Sequence, residues 1–387
     1  MKEEQKIDGK FGVRIKYITN VRIPTGRAHG YAIMKMCSEF AKAGVDVEMF
    51  VPSKGNNENK KDPFEFYGLE RNFKINKVKS FDLLGRTLKF GRLFYWLDIV
   101  SFLLALKFKL RFDSGDIIYT RDFLISLFLP KAALVVLELH HIPLNLFLFS
   151  RALKNVALLV VLNSYLKEDL IKLGVSPTKI FVSPSGVDLQ DFVPNKAQDE
   201  AKKQLNLSQY KKIVLYIGQF YPWKGVDTLA DSARLLPDKS FIFAGGVEPE
   251  LSKFIGKYAQ TENIIITSFV NRSLVSMYMA SADVLVIPNS AKEKISSHYT
   301  SPMKLFEYMA AKKPIIASDL PSIREILTEN ECVFAEPDNP ESFAKAIEKV
   351  LNDEDLALRI ATNAFNKVGE YAWDKKAKNI LNQISSL

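Results

Sequence analysis

Cysteine is nearly missing from this chain. Cys37 and Cys332 are the only two in 387 residues and lie far apart. That excludes a disulfide scaffold and a cysteine-based zinc module, and it fits a reducing compartment. Long hydrophobic runs are missing as well: no charge-free apolar stretch reaches the roughly 18 residues of a membrane-spanning helix. The N-terminal MKEEQKIDGK is polar, so no secretory signal is expected. Glycine (18) and proline (17) are sparse while apolar residues reach 47%, which excludes a disordered, collagen-like or low-complexity chain. Several chemical signatures are also absent: G-x-S-x-G, H-E-x-x-H, a Walker loop, and G-x-G-x-x-G after a strand. No carboxylate pair stands out as the nucleophile and acid of a glycoside hydrolase.

What is present points to two domains, or three, since 387 residues exceed one ordinary core. The net charge is +9, with 29 Lys/Arg against 20 Asp/Glu in residues 1–192 and 24 against 24 in 193–387. The whole excess therefore sits in the N-terminal half, which implies an anionic partner for that half.

Strand and helix patterns alternate twice. VRIKYI (13–18), VDVEMFV (45–51), GDIIYT (115–120), AALVVLEL (132–139) and NVALLVVL (155–162) read as strands, with a helix from Tyr31 to Ala43 and a polar loop over 53–62. KIVLYIG, SFIFAGG, NIIITSF, ADVLVIP, PIIASD and CVFAEP read as six strands of the second half. Near-continuous apolar strands separated by helices predict parallel sheets covered on both faces. The expected fold is α/β, two doubly wound Rossmann-like domains facing a cleft. A polar segment between Phe192 and Ser208 marks the break. The domains read as 1–192, 193–370 and a C-terminal helix, 371–387, packing back on the first.

Two segments carry chemistry. SPMKLFEYMAAKKP (301–314) predicts a helix over 302–312 with Ser301 at the N-cap and Pro302 at the first position. Its N-terminus offers free N–H groups to a phosphate, and Glu307 offers acceptors for sugar or ribose hydroxyls. A capped surface helix with a solvated Glu is the plainer alternative. In KIVLYIGQFYPWKGVDTL, Lys224-Gly225 stands at a strand-to-helix turn, where a lysine reaches a diphosphate or simply stays an exposed loop residue.

These segments, with FIFAGG and ADVLVIP, resemble the C-terminal domain of retaining glycosyltransferases of the GT-B fold, family 4 type. IPTGRAHGYAIMKMCSEFAKAGVDVEMF, GDIIYTR, LELHH and SPSGVDLQDFVP resemble its first half and interdomain stretch. The resemblance implies a nucleotide-diphosphate sugar donor, UDP- or GDP-linked, and no metal cofactor. It implies that Lys224 contacts the diphosphate and Glu307 the ribose, with backbone N–H groups near Met303 and Lys304 on the distal phosphate. His140 is implied near the donor sugar, so His140, Lys224 and Glu307 form the expected catalytic set. Gly26 and His29 belong to a loop, Pro24–His29, expected to close over the donor or acceptor. Gly218, Gln219, Gly245, Tyr299, Ser301, Pro302 and Leu305 complete the implied donor site, while Gly186 and Asp188 are implied to be structural.

The chain departs from the family in three places. Gln219 stands where a second diphosphate cation is common, and Lys304 is a candidate substitute. Tyr299 stands where a second Glu is common, and His141 stands where an Asp follows the His. His140–His141 also resembles half a metal site, but no carboxylate is seen at ligand spacing. Residues 86–112, with 142–154, are apolar, aromatic and basic, and read either as core helices with a solvated basic face or as a membrane-interface surface.

The expected activity is transfer of a hexosyl or N-acetylhexosaminyl group, with retention, to a glycan or lipid-linked acceptor in surface polysaccharide or glycolipid synthesis. The expected place is the cytoplasm, peripheral on the inner membrane face. A nucleotide-sugar epimerase of the same fold and a two-lobed solute-binding protein are the alternatives. No nucleic-acid module pattern appears.

Overall fold

A computed structural model describes residues 13–53, 61–80, 91–111, 113, 115–130, 133–192 and 197–387, without the side chains of 91–96. The polar N-terminus, most of the polar loop 53–62, residues 193–196 of the expected domain break, and 86–90 and 112 of the apolar-basic stretch lie outside the described residues.

The chain forms two compact units. The first holds residues through Val161, then Lys167–Ser183 and Trp373–Leu387; the second holds Leu162–Leu166 and Pro184–Ala372. The first unit has seven strands: β1 (Arg14–Ile18), β2 (Asp46–Pro52), β3 (Lys74–Val78), β4 (Asp116–Thr120), β5 (Leu134–Leu139), β6 (Val156–Val161) and β7 (Ile180–Val182). They lie parallel in the order β3-β2-β1-β4-β5-β6-β7. Ile15 is in register with Val47 on one side and Ile117 on the other. The helix Ala28–Lys42 crosses between β1 and β2, and the helix Trp373–Ser385 packs against it within this unit.

The second unit has β8 (Ile213–Ile217), β9 (Ser240–Gly246), β10 (Ile264–Ser268), β11 (Val284–Ile287), β12 (Ile315–Ser318) and β13 (Val333–Ala335), parallel in the order β10-β9-β8-β11-β12-β13. Alternation along β8 sends Ile213, Leu215 and Ile217 into one core, with Leu305, Phe306 and Met309. Val214 and Tyr216 enter the other, with Phe243 and Phe343. Each such side chain contributes roughly 1.5–3 kcal/mol by leaving water. In both sheets the strand order reverses, at β1/β4 and at β8/β11. Ligands of such sheets bind at the carboxyl ends beside that reversal.

All eleven strands expected from sequence are present. The two not foreseen, β3 and β7, are the two edges of the first sheet. An edge strand is only partly buried, so β3 (KINKV) carries lysines and β7 is three residues long. Among the described residues, no helix is long and apolar enough to cross a membrane.

Candidate active site

In the second unit the sequence-predicted residues converge on the carboxyl ends of β8, β9 and β11. β8 is followed directly by Gly218, whose N–H donates to Ala244 O (2.7 Å), next to Gly245 at the end of β9. Tyr216 Oη donates to Gln219 O (2.7 Å) and holds the following turn. A single 3-10 turn, Pro222–Lys224, leads to Gly225, which starts the helix Val226–Ala233 at φ +66°. A Cβ at Gly225 would lie 1.8 Å from Pro288 O, the residue after β11. Only glycine fits there, and its close approach brings Lys224 to the sheet's end.

The helix carrying Glu307 runs from Met303 to Ala310, shorter than the expected 302–312. Pro302 occupies the capping position, and no side chain caps the helix. Ser301 is therefore not the N-cap. Its Oγ accepts from Ser185 N–H (3.0 Å), and its carbonyl accepts from Ser185 Oγ (2.6 Å). With Ser301 engaged elsewhere, the N–H groups of Met303 and Lys304 open the helix without a side-chain cap among the described residues, while Leu305 N–H bonds to Pro302 O. The Leu305 side chain is fully buried in the core.

Three charged side chains mark this end of the unit. Lys224 lies half-buried with Nζ 3.8 Å from the Trp223 ring centre, and burial lowers its pKa to about 7. Lys304 is buried, and its Nζ has no hydrogen-bond partner among the described residues. It rests 3.7 Å from the Tyr216 ring centre. Glu307 is also buried, and its Oε1 accepts from Arg272 Nη1 (3.1 Å); Arg272 Nη2 reaches Asp191 Oδ2 (2.8 Å). Arg272 and Asp191 escaped the sequence reading. Arg272 lies in no recognisable motif, and Asp191 is a variable position within the interdomain stretch SPSGVDLQDFVP; Arg272 links Asp191 to Glu307 only through the fold.

Tyr299, also buried, ends a single π-turn, Ile295–Tyr299. That turn is tied at both ends: Ser296 Oγ donates to Trp223 O (3.1 Å), and Asn163 Nδ2 donates to His298 O (2.7 Å). Ser164 N–H reaches Glu325 Oε1 (2.8 Å), so residues 162–166 brace this turn from within the same unit. Gly186 and Asp188 flank Val187, which pairs with Ala372.

Gly26, His29 and His140 belong to the first unit. His29 is not in a loop: the helix begins at Ala28, so His29 lies in its first turn. The preceding loop is held by Tyr67 Oη, which donates to Thr25 O and accepts from Thr25 N–H, both at 2.8 Å. Partial desolvation and the positive charges of Arg121 and Arg27 lower the His29 pKa to about 4. His140 follows β5. Burial, then Arg121, lowers its pKa, opposed by a hydrogen bond with Glu138.

The sequence shows no carboxylate at metal-ligand spacing from the histidines, but the fold brings one to His140 as a hydrogen-bond partner. Glu138 Oε1 lies 3.1 Å from His140 Nε2. Glu138 is almost fully buried on β5, where it also accepts from Tyr119 Oη (2.7 Å) and Arg121 Nη2 (2.9 Å). Burial pushes its pKa up, but Arg121, Lys376 and His140 hold it well below the usual carboxylate range. A Glu within an otherwise apolar strand, LELHH, was the available signal. Among the described residues, no group of three His, Cys, Asp or Glu is placed to hold a metal ion.

Comparison with known proteins matches both halves. Residues 30–191 match the family model "Glycosyltransferase Family 4", and residues 197–367 match "Glycosyl transferases group 1". An uncharacterized glycosyltransferase of Methanocaldococcus jannaschii is 25% identical over 234 residues, 58% of this chain and 58% of the relative. A putative teichuronic acid biosynthesis glycosyltransferase of Bacillus subtilis is 22% identical, over 65% of this chain and 64% of the relative. The chain thus spans less than two thirds of the length of those two relatives. The processive diacylglycerol alpha-glucosyltransferase of Acholeplasma laidlawii is 24% identical over 57% of this chain and 69% of that protein.

Among solved structures, sucrose-phosphate synthase from Thermosynechococcus elongatus superposes with a TM-score of 0.77 at 19% identity, over 97% of this chain and 98% of that one. HepE of Anabaena, solved with UDP and glucose, gives 0.73 at 15%, over 97% and 100%. With one parallel sheet of Rossmann type in each half and a family match on each, the chain belongs to the glycosyltransferases of the GT-B fold, with a family 4 type first half.

Proposed function

We propose that the protein is a retaining, metal-independent glycosyltransferase. It moves a hexosyl or N-acetylhexosaminyl group from a nucleotide-diphosphate sugar to a glycan or lipid-linked acceptor in surface polysaccharide or glycolipid synthesis. The observation that carries this reading is the meeting of Lys224, Glu307 and an uncapped helix N-terminus at the carboxyl ends of one parallel sheet. The ends of β8, β9 and β11 supply positive charge and N–H groups for a diphosphate, and Glu307 supplies acceptors for ribose hydroxyls. In support of a nucleotide donor, HepE was solved with UDP-glucose. In support of a lipid or lipid-linked acceptor, one relative acts on diacylglycerol and another, 26% identical, on a diphospho-undecaprenol.

The chemistry asked of this site is charge stabilisation. As the bond from the sugar's anomeric carbon to the donor phosphate breaks, negative charge grows on the leaving diphosphate. Lys224 and the helix N–H groups neutralise it. The acceptor hydroxyl bonds to the same carbon and passes its proton to that leaving phosphate. The role proposed for His140, which is hydrogen-bonded to Glu138, is to act on the donor sugar as positive charge develops there. An epimerase or a solute-binding protein gains nothing from either half's family match.

Peripheral attachment to the inner membrane face is part of the proposal. On the helix Gly91–Lys109, Leu97, Val100, Leu104 and Phe108 are exposed at intervals of three and four residues, and Phe108 is 89% exposed. They form one apolar stripe opposite the buried Phe102, Leu103 and Leu106. Lys107, Lys109 and Arg111 are exposed beside its end. Apolar area with adjacent cations suits an anionic lipid surface.

A thermal-shift panel of UDP, GDP and ADP with their sugars tests the central reading. One diphosphate and its sugar are expected to raise the melting temperature by mass action. No shift with any of them at millimolar concentration refutes the donor site.

A further inference from the structure

The side chain of Lys304 has an environment that the fold alone does not explain. It is 9% exposed at the start of the helix Met303–Ala310, and its Nζ is buried with no hydrogen-bond partner among the described residues. It lies over the Tyr216 ring and against the end of β8, where a Cβ at Gly218 would stand 2.5 Å from Nζ. Glycine at 218 therefore leaves the space the amine occupies. Burying an amine with only a ring face for company costs stability, and an apolar residue of similar length would fill the same space without that cost.

We propose that Lys304 is a second diphosphate-binding cation held in reserve: it rests on Tyr216 in the free protein and turns to the donor's diphosphate when one binds, completing a site with Lys224. This inference rests on the reading of the second unit as a nucleotide-diphosphate site and deepens it.

The groups facing Lys304 fit that role. Lys224 approaches from the turn after β8, Tyr216 from β8 itself, and Glu307 from the next turn of the same helix, where it is engaged by Arg272. Burial, then the charge of Lys224, pushes the Lys304 amine far below the usual lysine range, with Glu307 opposing. The free protein thus holds two lysines whose protonation is suppressed by burial. A diphosphate brings the negative charge that reverses this, so both amines take up protons as it binds. Charge-assisted bonds to phosphate then replace the contact with the ring.

The test is K304M, with K304Q as a second variant should the first not fold. Titration calorimetry with UDP, uridine monophosphate and inorganic pyrophosphate is run at pH 8 in two buffers of different ionisation heat. Affinity of K304M for UDP and pyrophosphate is expected to fall about tenfold or more, and affinity for the monophosphate to fall much less. Proton uptake on UDP binding is expected to drop without vanishing, since Lys224 remains. The ligand-free variant is expected to melt no lower than the wild type, which a purely structural lysine does not predict. Wild-type affinity and proton uptake in K304M overturn the inference and leave the diphosphate site standing. A wild-type protein that binds none of UDP, GDP and ADP overturns both.

Discussion

Replacing Glu307 by Ala separates a ribose contact from a sugar contact. In the free protein Glu307 Oε1 is engaged by Arg272 at 3.1 Å, with side chains 11% and 31% exposed. Such a partly solvated pair is worth about 1 kcal/mol. Arg272 also keeps Asp191 at 2.8 Å, so the variant retains that ion pair. A melting loss of about 2–4 °C follows for a unit of this size. Binding is affected more. Two charge-assisted hydrogen bonds to neighbouring ribose hydroxyls, less the Arg272 contact they displace, amount to about 2 kcal/mol, or about 30-fold in Kd.

The assay is calorimetry with UDP and its 2′,3′-dideoxy analogue on both proteins, or with the GDP pair if the panel selects guanine. The wild type should prefer UDP by about 30-fold, whereas Glu307→Ala should bind both alike, because the group that reads the hydroxyls is gone. If the variant keeps the wild-type preference, or binds UDP normally and loses only transfer, Glu307 does not hold the ribose.

Lys224→Ala should raise the Kd for the nucleoside diphosphate by about tenfold in a folded protein. The phosphate contact proposed for Lys224 needs its charged form, and burial lowers its pKa to about 7, so wild-type affinity should fall as pH rises from 6 to 9; a pH series should show that slope flattened in the variant. His140→Ala should lower kcat more than donor affinity, because a group beside the sugar acts as charge develops there, and EDTA should leave wild-type turnover unchanged; activity lost to EDTA and restored by a divalent ion would instead revive the two-histidine metal site. The protein should co-sediment with anionic liposomes at low salt, less with neutral ones, and release as salt rises, with Lys107, Lys109 and Arg111 replaced by Gln weakening the effect at unchanged melting temperature. Wild-type indifference to anionic vesicles at low salt would make a soluble acceptor the better reading.

Both sheets are legible in the amino-acid sequence because parallel strands buried on two faces must be apolar along their whole length. NVALLVVL and KIVLYIG admit little else. The Lys224-Gly225 turn and the helix bearing Glu307 are legible for a related reason. Their glycine, proline and charged residues stand at fixed offsets from those strands, and local backbone geometry dictates such offsets. The edge strand β3 is not legible because KINKV is mostly polar, as a strand paired on one side is free to be, whereas β10, also an edge, keeps the apolar run III and is legible.

Contacts made across long stretches of chain were decided by tertiary structure alone. Ser301 reads as an N-cap, yet Ser185 claims its hydroxyl, and a side chain's hydrogen bond goes to whichever partner the fold brings closest. Arg272 reaches Glu307 across 35 positions, and Asn163 reaches His298 across 135. Whether Lys304 points to water or lies over Tyr216 depends on the space left by Gly218, a residue at the end of β8. Sequence spacing carries the periods of helix and strand; it does not carry which side chains meet once those elements pack.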